Sequence, residues 1–145
     1  FRAGRKANFI SRIEGYEKDC YFSEASHDAF KKFGIDYKRR IELSLINKNL
    51  HMIVRDKIKT IRKIKFKLWF HLSPLIKQDF FGNLVVDINP HVDIKRKFYN
   101  TTTSMGFGKI KFRNSLMLTG ILDPGCYSIT SKKILSKESI NTFNS

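Results

Sequence analysis

The residues of this sequence that could do chemistry are its four histidines, its one tryptophan and a row of alternate lysines. His27, His51, His71 and His91 form no HxH or HxxxH pair, so no zinc site is written locally. Ligands could still converge from different strands. His27, beside Asp28 after a strand, is the candidate metal ligand, because a ligating imidazole usually has a carboxylate or carbonyl orienting its other nitrogen. The competing reading is a structural histidine satisfied in a loop. Lys63, Lys65 and Lys67 lead, at alternate positions, into Trp69 and His71. Lysines with aromatic rings among them suit an anionic sugar or an unpaired base, since the ring stacks while the ammonium groups bind charge. The same row can instead be a solvated face that blunts edge-strand aggregation. Arg39 and Arg40 point to opposite faces, and Arg39 is expected to pair internally with Asp56 or Glu42. Gly106-Phe107-Gly108-Lys109 lacks the spacing of a P-loop. There is no nucleophile elbow and no local Ser-His-Asp set.

Alternation of period two positions these side chains. Tyr37, Arg39, Ile41, Leu43 and Leu45 share one face of a first strand. Ile46-Asn47-Lys48-Asn49 is a turn. Leu50, Met52 and Val54 continue on a second strand that closes at Asp56, followed by a basic connection. Ile64, Phe66, Leu68 and Phe70 line one face of a third, with Lys65, Lys67, Trp69 and His71 on the other. Such alternation marks half-buried antiparallel strands. It predicts that Ile41, Leu43, Leu45, Leu50, Met52, Val54, Ile64, Phe66, Leu68 and Phe70 face inward. Elsewhere, Lys31 to Ile35 reads as a loop or one helical turn. Asn100 to Ser104 reads as a polar loop, and Phe107–Phe112 and Ser115–Thr119 as two separate strands. About ten short strands with turn signals between them predict an all-β, antiparallel β-sandwich with few or no helices. Residues 1–135 form that domain, and 136–145 a frayed tail.

The chain has 145 residues, 41% of them hydrophobic, which is enough for one domain with a core. No apolar run is long enough to cross a membrane as a helix. Cys20 and Cys126 have no metal-ligand spacing; they could pair if the parent chain is exported, and the expectation is two buried free thiols. The formal net charge of +15 favours polyanionic partners, either acidic polysaccharide or nucleic acid. The opposing explanation is compositional: Lys, Ile, Asn and Phe are abundant together, as an AT-rich genome would produce. The chain opens at Phe1 with neither an initiator methionine nor a signal-peptide apolar region, and is expected to be a piece of a longer polypeptide. Such a piece should leave a sheet edge or apolar patch uncovered.

Several short segments come in a familiar order: Phe1-Arg2-Ala3-Gly4-Arg5-Lys6-Ala7, Ala25-Ser26-His27-Asp28-Ala29-Phe30, Lys38-Arg39-Arg40-Ile41, Val54-Arg55-Asp56 and Phe70-His71-Leu72-Ser73-Pro74. Together they resemble the C-terminal β-sandwich of the heparinase II/III-like polysaccharide lyases, with their FRxGRRA-like start and A-x-H-D-x-Y, H-R-R, V-x-D and F-H-L-x-P segments. Phe30 stands where that family often has tyrosine, Lys6 replaces an arginine, and Tyr37-Lys38 replaces the histidine before the arginine pair.

The resemblance implies a piece of a larger super-sandwich, and a parent protein that cleaves uronate-containing polysaccharide by β-elimination. It places the catalytic groups upstream of Phe1, in an N-terminal helical domain and an H-N-T segment, so this chain carries no catalytic residue. It implies a divalent metal, often zinc, with His27 matching one ligand by position. It implies a periplasmic or cell-envelope location. Independently of the resemblance, Lys63, Lys65, Lys67, Trp69 and His71 remain the polyanion-binding row read from the residues. Two alternatives stand beside it: a non-catalytic module that binds acidic polysaccharide or nucleic acid, and a structural sandwich whose charge is incidental.

Overall fold

The computed structural model describes residues 7–72, 82–106 and 109–135. Nine strands follow one another: β1 (Phe9–Glu17), β2 (Cys20–His27), β3 (Ile35–Ile46), β4 (Asn49–Thr60), β5 (Ile64–His71), β6 (Val85–Asn89), β7 (Lys95–Gly106), β8 (Lys109–Leu122) and β9 (Gly125–Leu135). The one helical element among the described residues is a 3₁₀ turn, Lys31–Phe33. The strands build a six-stranded sheet in the order β1-β2-β3-β4-β9-β6 and a three-stranded sheet in the order β5-β8-β7. Every pairing is antiparallel, so the fold is an all-β sandwich of two antiparallel sheets.

The hairpins are set by their turns. Asn47 and Lys48, between β3 and β4, have φ of 50° and 65°, and Lys18 and Asp19, between β1 and β2, have φ of 48° and 61°. Two left-handed residues in a two-residue loop match the right-handed twist of the strands they join. The β3–β4 turn fixes the register Tyr37↔Ile58, Arg39↔Asp56, Ile41↔Val54 and Leu43↔Met52.

The core lies where the small sheet covers the large one. Ile58, Leu84 and Ile129 pack with Phe66, Leu68, Leu116, Leu118 and Leu122. Of the side chains expected inside, Val54, Phe66 and Leu68 are buried, and Leu43, Leu50, Met52, Ile64 and Phe70 are half-buried. Ile41 and Leu45 depart from the expectation, at 38% and 69% exposed. Both lie on the inner face of β3, but the core cluster ends before them. Alternation names the side of a strand. It does not name what covers that side.

Other boundaries also moved. β4 runs on to Thr60 instead of closing at Asp56, because Lys57 to Thr60 keep pairing with β9. Asn100 to Ser104 is strand, not loop. Its threonines pair with β8, and threonine's branched side chain suits a pleated surface. Residues 109–122 form one strand without a break, since Arg113 and Asn114 pair with Thr101 and Asn100. Cys20 is half-buried and Cys126 exposed, and both are free thiols, so the expected burial is corrected. The expected tail at 136–145 and the residue Pro74 lie outside the described residues.

Gly120 marks the tightest approach in the small sheet. A Cβ there would stand 2.8 Å from the Phe66 ring and 2.9 Å from the Asp93 carbonyl oxygen. One neighbour is backbone and cannot swing away. Gly120→Ala is therefore expected to destabilise the domain by about 1–3 kcal/mol, read as a lower urea midpoint with an unchanged slope. A midpoint equal to the parent's would show that β8 has room at this point.

Candidate functional site

His27, the last residue of β2, lines a cleft of about 700 Å³ between the large sheet and β5. Its ring lies 5.3 Å from Phe30 and 5.7 Å from Tyr37. Its Nδ1 accepts the backbone N–H of Ala29 at 3.3 Å. A neutral imidazole has one lone-pair nitrogen, and here that nitrogen is engaged, which leaves the proton on Nε2. A metal ligand needs its lone pair for the ion and its N–H for an orienting acceptor. Among the described residues no three His, Cys, Asp or Glu side chains stand where they could hold a metal ion. The residues around His27 therefore do not fit a metal centre on their own. The Asp28 carboxylate accepts the Asn8 backbone N–H at 2.8 Å, tying the start of β1 to the end of β2.

Deeper on the same face lies Asp56, with 0% exposure. Arg39 donates to it from Nε at 2.7 Å and from Nη2 at 3.0 Å, and the Tyr37 hydroxyl donates to Oδ1. Of the two partners expected for Arg39, the β3–β4 register selects Asp56. Burial, reinforced by the Asp56 charge, pushes the Tyr37 phenol well above its ordinary range. The Tyr37 hydroxyl thus stands as a hydrogen-bond donor to Asp56. Burial works against the Arg39 charge, but the hydrogen bonds and charge of Asp56 more than offset it.

The second place is the outward face of the small sheet. Its register sets Lys67, Thr119 and Lys95 in one row, Trp69, Met117 and Lys97 in the next, and His71, Ser115 and Tyr99 in a third. Arg113 and Thr101 follow. The Trp69 ring lies 5.6 Å from His71, nearly parallel at 11°, and 5.1 Å from Tyr99 at 48°. These rings roof the central strand, leaving Met117 only 7% and Ser115 only 1% exposed. Ser115 Oγ shares hydrogen bonds of 2.7 Å with His71 Nδ1 and 2.7 Å with Thr101 Oγ1. Desolvation, with the nearby Arg113 charge, lowers the His71 pKa.

Of the row expected from the sequence, Lys65, Lys67, Trp69 and His71 share this face. Lys63 lies just before β5 and reaches Asp123 at 3.4 Å. Lys95, Lys97, Tyr99 and Arg113 join the row from β7 and β8, and sequence reasoning missed them. Their alternate spacing is visible in the sequence, but their neighbours are not.

The charge on the two outer faces is organised differently. On the large sheet, Arg40 pairs with Glu17 and Glu42 at 2.8 Å each, Arg55 with Glu42 at 3.3 Å, and Lys38 with Glu24 at 2.9 Å. On the small sheet, among the described residues, no carboxylate pairs with Lys65, Lys67, Lys95, Lys97 or Arg113. Arg113 Nε is buried and has no hydrogen-bond partner.

No family model matches the sequence, and no curated protein matches it. Solved structures do match the fold. The heparan sulfate lyase HepC from Pedobacter heparinus superposes with a TM-score of 0.60 at 12% identity, over 90% of this chain and 22% of that one. A heparinase III gene product superposes at 0.61 with 10% identity, over 91% of this chain and 22% of that one. A further heparinase III structure gives 0.55 and 12%, over 90% and 21%. This chain spans about a fifth of the length of those proteins. The described residues thus form an all-β sandwich of two antiparallel sheets, and the cations in the rows of the small sheet's outer face pair with no carboxylate among them. The fold is that of a part of heparinase III structures, a distant structural relationship.

Proposed function

We propose that this chain is the C-terminal sandwich portion of a heparinase II/III-like polysaccharide lyase, which cleaves uronate-containing polysaccharide by β-elimination. Its own part is to hold the polyanion. The observation that carries this reading is the outer face of the small sheet, where Lys65, Lys67, Lys95, Lys97 and Arg113 pair with no carboxylate among the described residues. The fold likeness to a heparan sulfate lyase and to heparinase III supports the choice of polyanion.

Elimination needs a group that neutralises the uronate carboxylate and a base within reach of the α-proton. Tyr37 is held protonated beside Asp56. Ser115 occupies Nδ1 of His71. The described residues offer no substitute set, so the chemistry would come from an N-terminal helical domain and an H-N-T segment of the same parent chain. A periplasmic or envelope location accompanies that reading. A metal at His27 would need ligands from that same region and a change of tautomer. A non-catalytic polyanion-binding module is the second reading; the same unopposed face favours it, without the upstream catalytic region.

The purified chain, incubated with heparan sulfate and other uronate polysaccharides, is expected to give no growth of the absorbance of an unsaturated uronate. It is expected to be retained on heparin resin and to elute as salt rises, because exposed charges are screened within roughly 8 Å at physiological ionic strength. Turnover that disappears in His71→Ala would overturn the non-catalytic role. Elution together with a neutral control protein would overturn polyanion binding.

A further inference from the structure

The roofed rows of the small sheet have the makings of a discrete site. The central strand is low, with Ser115 and Met117 buried, while Trp69 and His71 rise on one side and Tyr99 and Lys97 on the other. The His71 ring is pinned through Nδ1 to Ser115, and Ser115 to Thr101, at 2.7 Å each. Pinned rings lose little freedom when a ligand lands on them. Lys97 Nζ lies over the Tyr99 ring, 5.0 Å from its centroid, so one face of that ring already carries a cation and the other is left to the shelf. Arg113, next along β8, is close enough to depress the His71 pKa. It is half-buried, its Nε has no partner, and no carboxylate among the described residues neutralises it. A half-buried guanidinium without a counter-ion is a ready partner for a carboxylate or sulfate.

We propose that Trp69 and Tyr99, flanked by Arg113 and Lys97, form a subsite for one anionic pyranose ring of an acidic glycan. The apolar face of the sugar rests on the Trp69–Tyr99 shelf, and its carboxylate or sulfate lies between the two cations. His71 Nε2, on the side away from Ser115, meets a ring hydroxyl. This subsite rests on the polyanion reading above and deepens it from net attraction to recognition of a single sugar unit.

Trp69 is the only tryptophan of the chain, so its emission reports on the shelf directly. The 145-residue chain is titrated with a short heparin oligosaccharide, a neutral oligosaccharide of the same length and a short oligothymidylate. The expected result is a saturable emission change with the heparin oligosaccharide alone. Tyr99→Leu and Arg113→Gln are each expected to weaken it about tenfold, while Tyr99→Phe, which keeps the ring, leaves it within about twofold. Far-UV circular dichroism and the urea midpoint establish that each variant folds. Should Arg113→Gln unfold, Lys97→Gln on an exposed side chain takes its place, with an expected weakening of roughly two- to fivefold. Retention on heparin resin with unmoved Trp69 emission would overturn the subsite and leave the polyanion reading standing. Loss of both retention and emission change would overturn both. An equal response to the neutral sugar would show that no anion is read. An equal or tighter response to oligothymidylate would overturn the glycan assignment in favour of nucleic acid.

Discussion

Replacing Arg39 with methionine is expected to lower the unfolding free energy by about 3–5 kcal/mol, the cost of stranding one partner of a buried ion pair. Asp56 is 0% exposed, and Arg39 supplies two of its hydrogen bonds, at 2.7 and 3.0 Å. Without Arg39, a buried carboxylate keeps only the Tyr37 hydroxyl and has no charge to oppose its own. Methionine keeps much of the arginine stem and gives up the guanidinium that lies over the Phe70 ring, 5.4 Å from its centroid, so lost packing is the smaller part. Domains of this kind are stable by about 5–15 kcal/mol, so the loss takes at least about a fifth of the total. The triple replacement Arg39→Met, Asp56→Leu, Tyr37→Phe removes the charge and both donors together and should recover most of the loss. Urea unfolding followed by Trp69 fluorescence measures all of these. A single variant within about 1 kcal/mol of the parent would show that Asp56 reaches water, contrary to its place in the core.

Neutralising Lys65, Lys67 and Lys95 with glutamine is expected to weaken heparin binding at low salt by roughly ten- to a hundredfold, at about 0.5–0.9 kcal/mol for each exposed charge. The informative control is Lys38→Gln, Arg40→Gln, Arg55→Gln on the outer face of the large sheet. Both triple variants lower the formal charge of +15 by the same amount. Lys38, Arg40 and Arg55 are already engaged by Glu17, Glu24 and Glu42, so they are not free to meet a sulfate or carboxylate of the ligand directly. The control should therefore bind heparin within about threefold of the parent. Elution from heparin resin along a salt gradient, with both triples and the parent side by side, measures the difference. Equal losses in the two variants would mean that net charge alone attracts the polyanion and that the small-sheet face has no special part.

The β class, the hairpin turns and the facing of each central side chain were legible in the residues, because alternation is a local property of an extended backbone. That property put Phe66 and Leu68 on the buried side of β5, and Lys65, Lys67, Trp69 and His71 on the outward side. The order of short segments pointed to the heparinase-like sandwich, and the solved structures carry the same fold. Cover was not legible. Ile41 and Leu45 alternate as faithfully as Phe66, yet they stand exposed, because cover depends on how far the small sheet extends.

The partner of Arg39 was legible only in part. Glu42 lies on the opposite face of the same strand, whereas Asp56 sits directly across the ladder once the β3–β4 turn sets the register. Only the tertiary structure brought Tyr99, Lys97 and Arg113 beside Trp69, since β5 joins β7 through β8, a strand that follows both in sequence. It alone showed that Lys38, Arg40 and Arg55 on the large sheet are opposed by Glu17, Glu24 and Glu42, whereas Lys65, Lys67, Lys95, Lys97 and Arg113 on the small sheet pair with no carboxylate among the described residues. A lysine's type and facing belong to the chain. The carboxylates that oppose it come from other strands, and their positions follow from long-range pairing that no local pattern records.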